Sequence, residues 1–224
     1  MRGSRGLRAT GCLLAVGLLL SACAATEEPA SNVTNVQMHD PDGLAGSVLP
    51  EPYEIPSVDL EDTSGAAYSL RDDAEAPMTL VFFGFTNCPD VCQVVMAEIT
   101  SALSRLEPAD RDDVDVVFIT TDPARDDGTA LRAYLDRFDP AYTGLTGDLA
   151  DIEVVADALK VPFEKGERLP TGGYDVTHGT AVLGVVPGGS APVLWMQGTG
   201  ADPLADDLTS ILADGIPELS EEHS

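Results

Sequence analysis

The chain has 224 residues, 12 basic side chains against 38 acidic ones, and a formal net charge of −26 at pH 7. So acidic a surface repels phosphate backbones and anionic headgroups, which excludes nucleic acid as a partner and direct adsorption to anionic lipid. The length accommodates one domain with extra segments.

Residues 1–22 read as an export signal of the lipoprotein kind. Arg2, Arg5 and Arg8 form a basic start, Leu13 to Leu20 an apolar run, and Ser21 and Ala22 a small-residue boundary. The apolar run is well short of the roughly 20 residues a spanning helix needs. Leu20-Ser21-Ala22-Cys23 has the order of a bacterial lipobox, so Cys23 is the expected site of lipidation. Two or more acyl chains hold a protein stably at a bilayer. The expected location is therefore the extracytoplasmic face of the cell membrane, with the membrane reached through the lipid anchor. Removing residues 1–22 takes away three Arg and no acid, which moves the net charge from −26 to −29.

Residues 23–50 are rich in Pro, Ser, Asn, Gly and acids and lack an apolar period, so they read as a flexible tether. Met38 and His39 lie in it and are read as linker residues. The folded domain is expected over residues 51–214, followed by an acidic tail over 215–224. Val58 and Leu60 alternate with acids, Thr63-Ser64-Gly65 turns, and Tyr68 and Leu70 follow, which predicts a β-hairpin. Met78 to Phe85 is a continuous apolar run of strand formers, a buried strand. Val91 to Leu106 has a helical apolar period, Val114 to Thr120 is a second buried strand, and Thr129 to Phe138 is a helix that Asp126 or Asp127 caps. Leu149 to Leu159 is a third helix. Ala181–Val186 and Val193–Met196 are strands around Pro187-Gly188-Gly189-Ser190, and Leu204 to Leu212 is a closing helix. Trp195 is assigned to the core. The order β-α-β-α followed by α-β-β-α describes an α/β fold: a thioredoxin-like mixed central sheet flanked by helices, with an N-terminal β-hairpin.

Cys12 leaves with the signal and Cys23 carries lipid, so Cys88 and Cys92 remain as one close pair in an oxidising compartment. They sit in Phe85-Thr86-Asn87-Cys88-Pro89-Asp90-Val91-Cys92, where a buried strand gives way to a helix. The partial positive charge of a helix N-terminus favours thiolate, so both thiols are expected to have lowered pKa values. The spacing of four brings the sulfurs to one side of a turn. Two soft sulfurs suit Cu(I) and also Zn. A disulfide that merely stiffens so short a loop gains little from closure.

The Cys-x-x-x-Cys pair after a strand resembles that of the Sco/SenC family of copper-handling proteins. Thr121-Asp122-Pro123-Ala124-Arg125-Asp126, followed by Leu131, Tyr134 and Phe138, resembles the family's Asp-Pro-x-Arg-Asp loop and helix. Tyr174-Asp175-Val176-Thr177-His178 resembles its Tyr-x-Val-x-His segment. The resemblance implies a Cu(I)/Cu(II) site made by Cys88, Cys92 and His178. It also implies a metallochaperone that delivers copper to the binuclear site of a haem–copper (cytochrome c) oxidase, with the receiving oxidase subunit as partner. One departure is Gln93, where the family commonly has Pro. Among the other His, His39 is in the tether and His223 in the tail, which leaves His178 as the domain's imidazole ligand. Asp122-Pro123 is expected to turn the chain, and Arg125 to pair with a neighbouring acid.

An alternative keeps the same two sulfurs as a redox pair: a thiol–disulfide oxidoreductase that holds the oxidase subunit's cysteines reduced. Thioredoxins have two residues between their cysteines and no late His ligand, whereas three intervene here. A peroxidase is disfavoured, because Thr86 stands two residues before Cys88 and peroxiredoxins place their Thr three before.

Overall fold

The computed structural model describes residues 43–168 and 174–219, and for residues 163–168 and 174–178 it describes the backbone alone. The expected signal, Cys23, Met38, His39 and the end of the acidic tail lie outside the described residues. The elements in order are β1 (Ser47–Glu54), β2 (Asp59–Asp62), β3 (Ala67–Ser69), α1 (Leu70–Asp73), β4 (Met78–Gly84), α2 (Val91–Leu103), α3 (Pro108–Asp112) and β5 (Val114–Thr120). They continue with α4 (Gly128–Leu135), β6 (Thr143–Thr146), α5 (Leu149–Ala158), β7 (Phe163–Arg168), β8 (Tyr174–His178), β9 (Val182–Val186), β10 (Ser190–Trp195) and α6 (Ala201–Asp214).

Eight strands form one mixed sheet in the order β1-β10-β9-β4-β5-β6-β2-β3, and β7 and β8 form a separate hairpin. The neighbours β4, β5 and β6 are parallel, and the remaining pairings in the large sheet are antiparallel. Every residue of β4 is buried. Leu80 and Phe82 face a core completed by α2, α4 and α6, while Val81 and Phe83 face one completed by α1 and α5. Covering on both faces is why this strand reads as an unbroken apolar run rather than an alternation. The α/β architecture and the N-terminal hairpin β2–β3 are as expected.

Several boundaries move, each for a local reason. Leu70 opens α1 instead of extending the hairpin, because the Ser69 hydroxyl accepts from the Asp72 N–H and caps a helical turn. Asp127, not Asp126, caps α4 by accepting from the Ala130 N–H at 2.8 Å. Ser190 belongs to β10 and pairs with Val186, so the turn is shorter than expected. The strands β1, β6 and β7 carry no alternation that sequence reading detects, and the alternation of Tyr174-Asp175-Val176-Thr177 in β8 is too brief to mark a strand. In β7, Glu164-Lys165-Gly166-Glu167-Arg168 is polar throughout.

The tether expected to reach residue 50 ends earlier. Leu44 is buried, and β1 pairs with β10 from Ser47 onward. The Asp207 carboxylate on α6 holds this entry. It accepts from the Ala45 N–H at 3.0 Å, the Gly46 N–H at 2.8 Å and the Trp195 indole N–H at 2.7 Å. Gly46 is required by contact, since a Cβ there would lie 2.4 Å from the Trp195 ring nitrogen. The core position expected for Trp195 thus holds, and its one polar atom has a partner.

Candidate metal centre

The parallel strand β4 delivers the site. It stops at Gly84, the chain crosses Phe85 to Asp90, and α2 begins at Val91. The loop is tight because the Cys88 N–H donates to the Phe85 carbonyl at 3.1 Å. Asp90 stands at the N-cap of α2 but makes no side-chain cap. A sulfur does that work instead: the first-turn N–H of Cys92 donates to Cys88 Sγ at 3.3 Å. The four-residue spacing therefore brings the sulfurs together through a loop folding back onto a helix end, since Cys88 lies ahead of the helix itself. Gln93, the departure from the family pattern, donates its side-chain amide to the Cys88 carbonyl at 3.4 Å.

Both sulfurs are buried, Cys88 at 4% exposure and Cys92 at 0%. They are separate thiols in this structure. Burial pushes the Cys92 thiol pKa up, the hydrogen bond with Cys88 adds to this, and the Phe85 backbone opposes it. The lowering expected from the helix N-terminus is thus reversed at Cys92, because desolvation in an apolar setting outweighs the end of one helix. Gly84 permits the close packing: a Cβ there would lie 2.9 Å from the Phe118 ring and 3.2 Å from Cys92 Sγ.

The loop is tied down by a residue that sequence reading treats only as a cap or motif member. Asp126 is fully buried. Its carboxylate accepts from the Thr86 N–H at 2.8 Å, the Thr86 hydroxyl at 2.6 Å and the Thr120 hydroxyl at 2.7 Å. Its carbonyl accepts from the Thr146 hydroxyl at 2.9 Å. One side chain therefore links the cysteine loop to the end of β5, and its backbone links to β6. Arg125 pairs with the buried Asp122, as expected for that turn.

His178 ends β8, and its backbone pairs with Phe163. Its side chain lies outside the described residues. The chain leaving it is fixed: the Gly179 N–H donates to the Pro162 carbonyl at 2.8 Å, and Thr180 lines a small crevice with Val95, Glu98 and Ile99 of α2. Among the described residues no three metal-ligating side chains of the His, Cys, Asp or Glu type converge. The described part of the site is a two-sulfur donor set, suited to a soft cation.

A dithiol at the end of a central parallel strand, at the start of a helix on a mixed sheet, is the site of a thioredoxin-fold protein. The chain belongs to the SCO1/SenC family, whose model matches residues 53–213. A SCO2-like protein of Rickettsia conorii is 38% identical over 107 residues, covering 48% of this chain and 51% of that protein. The chain thus matches about half the length of that relative. Copper-bound ScoI of Bradyrhizobium japonicum superposes with a TM-score of 0.62 at 31% identity, covering 70% of this chain and 98% of that one. Copper-bound ScoI of Arabidopsis thaliana gives 0.64 at 26% identity, covering 71% and 98%.

Proposed function

We propose that this chain takes copper as its cargo on Cys88 and Cys92, with His178 as third ligand, and passes it to the binuclear copper site of a haem–copper oxidase. The observation that carries this is the pair of buried sulfurs at one helix end, where the Cys92 N–H holds Cys88 Sγ. Copper-bound relatives of the same fold support the choice of metal. The sulfurs supply soft donors for Cu(I), and an imidazole adds the nitrogen donor that Cu(II) prefers. The hydrogen bond between the Cys88 and Cys92 side chains favours a second role, thiol–disulfide exchange, in which one sulfur resolves the other.

Copper uptake is expected to reach one ion per chain and to tighten as pH rises. The sign follows from Cys92: its raised pKa keeps the metal-free thiol protonated at neutral pH, so binding must expel a proton. Each proton expelled changes apparent affinity by about tenfold per pH unit. Competition against a Cu(I) chelator at several pH values measures both quantities. A protein that takes up no copper, or whose affinity ignores pH, contradicts the assignment of Cys92 as ligand.

Location is proposed from the sequence, as a lipid anchor on Cys23 at the extracytoplasmic face. No helix among the described residues is long and apolar enough to cross a membrane. Cys23→Ser is expected to move the protein from the membrane to the soluble fraction while leaving its melting temperature unchanged. A variant that remains wholly membrane-bound rejects the anchor.

A further inference from the structure

Strand β4 carries one glycine, and it stands where a side chain would meet a sulfur. Gly84 is the last residue of that strand. Its φ lies outside the left-handed region, so no backbone conformation calls for glycine there. Glycine in a strand weakens it, because the chain is freer and nothing packs from that position. It commonly marks a place where another group approaches closely. At Gly84 two groups do. A Cβ there would lie 2.9 Å from Phe118 Cε2, 3.0 Å from Phe118 Cζ and 3.2 Å from Cys92 Sγ. The ring and the sulfur therefore occupy the room that any other residue would take for itself.

What a side chain would do depends on which neighbour gives way. The backbone of Gly84 is held on one edge. It pairs with Thr120 of β5, and its carbonyl accepts from the Thr121 N–H at 2.7 Å and the Thr121 hydroxyl at 3.2 Å. The Phe118 ring is fully buried in a packed aromatic row, its centroid 6.0 Å from that of Phe82 and 5.3 Å from that of Tyr134. A close-packed ring has little empty space to move into. Cys92 is the less enclosed neighbour. It lies in the first turn of α2, after a loop in which Asn87, Pro89 and Asp90 are exposed. A methyl group at position 84 is thus expected to displace the Cys92 sulfur.

We propose that Gly84 is a positioning residue of the copper centre, whose missing side chain leaves the space in which the Cys92 sulfur is held beside the Phe118 ring. This rests on copper binding as proposed above. Groups outside the ligand set that fix a ligand's place typically matter by about 10- to 100-fold in metal affinity.

The test is Gly84→Ala, with Gly144→Ala as a packing control. A Cβ at Gly144, on β6, would meet Leu135 at 2.8 Å and Thr63 at 3.1 Å, comparable crowding with no sulfur among its nearest neighbours. Both metal-free variants are expected to melt about 2–12 °C below wild type, as one crowded methyl group in a packed core does. Only Gly84→Ala is expected to lose Cu(I) affinity, by about tenfold or more against a competing chelator, and to move the sulfur-to-Cu(II) absorption band. Adding Phe118→Leu to Gly84→Ala removes the ring atoms at the crowded point, so the double variant is expected to regain most of the affinity and the wild-type band. Wild-type affinity and band in Gly84→Ala overturn the proposal while leaving copper binding intact. An equal loss of affinity in Gly144→Ala also overturns it, because crowding anywhere in the sheet then suffices. The double variant decides the matter even where Gly84→Ala alone does not fold: a folded double variant that still binds copper weakly overturns the proposal. A wild-type protein that takes up no copper overturns both proposals.

Discussion

Asp126→Ala is expected to be the most damaging single substitution outside the sulfurs, lowering stability by about 3–5 kcal/mol. The carboxylate is fully buried and accepts three hydrogen bonds, two from Thr86 and one from Thr120. Truncation takes the acceptor from the N–H and hydroxyl of half-buried Thr86 and from the hydroxyl of buried Thr120, and a buried donor left unpaired costs more than the bond itself contributes. Asp126→Asn keeps the shape and an oxygen acceptor but loses part of the acceptor capacity, so about 1–3 kcal/mol is expected. Denaturant unfolding of both variants measures the order. The local effect is as informative as the global one. Thr86 stands two residues before Cys88, so freeing it loosens the loop that fixes that sulfur, and copper affinity should fall in Asp126→Asn even where the protein stays folded. An Asp126→Ala protein within 1 kcal/mol of wild type, on this order-of-magnitude scale, would show that the three contacts are not the hub described here.

Asp126 also marks the reach of sequence reading. The residue is visible as a helix cap or as part of a motif. Nothing local reveals its actual partner Thr86, 40 positions away. The strands β4 and β5 are legible because covering on both faces demands unbroken apolar runs. The edge strand β1 is not, because Pro50, Pro52 and exposed acids conceal its pairing with β10. Its anchor is the Asp207 carboxylate, some 160 residues downstream. At the site, the cysteine spacing is read correctly from sequence while the thiol chemistry is not. A helix N-terminus can be inferred from a cap and an apolar period, but the desolvation that raises the Cys92 pKa depends on how Gly84 and Phe118 close around it.

His178→Ala is expected to separate the two roles open to the sulfurs. Disulfide exchange proceeds by thiolate attack on sulfur, and its rate depends on thiol pKa and access. An imidazole is no part of that step, so the variant should retain much of the wild-type thiol exchange with a model disulfide. Copper is affected differently. With the nitrogen donor gone, two sulfurs remain, which suit Cu(I) but leave Cu(II) short of the donor it prefers. The Cu(II) absorption should therefore disappear while Cu(I) binding weakens only in part. The fold gives reason to expect the imidazole at the site. Just after His178, Gly179 is held by the Pro162 carbonyl, and Thr180 lines a crevice with Val95, Glu98 and Ile99, one to two turns along the helix that carries Cys92. In cells grown at low copper, His178→Ala should then lose oxidase assembly as completely as Cys88→Ser or Cys92→Ser. If oxidase assembles normally in His178→Ala while either cysteine variant fails, the sulfurs act as a reductant of the partner's cysteines, and copper delivery is not the task of this chain.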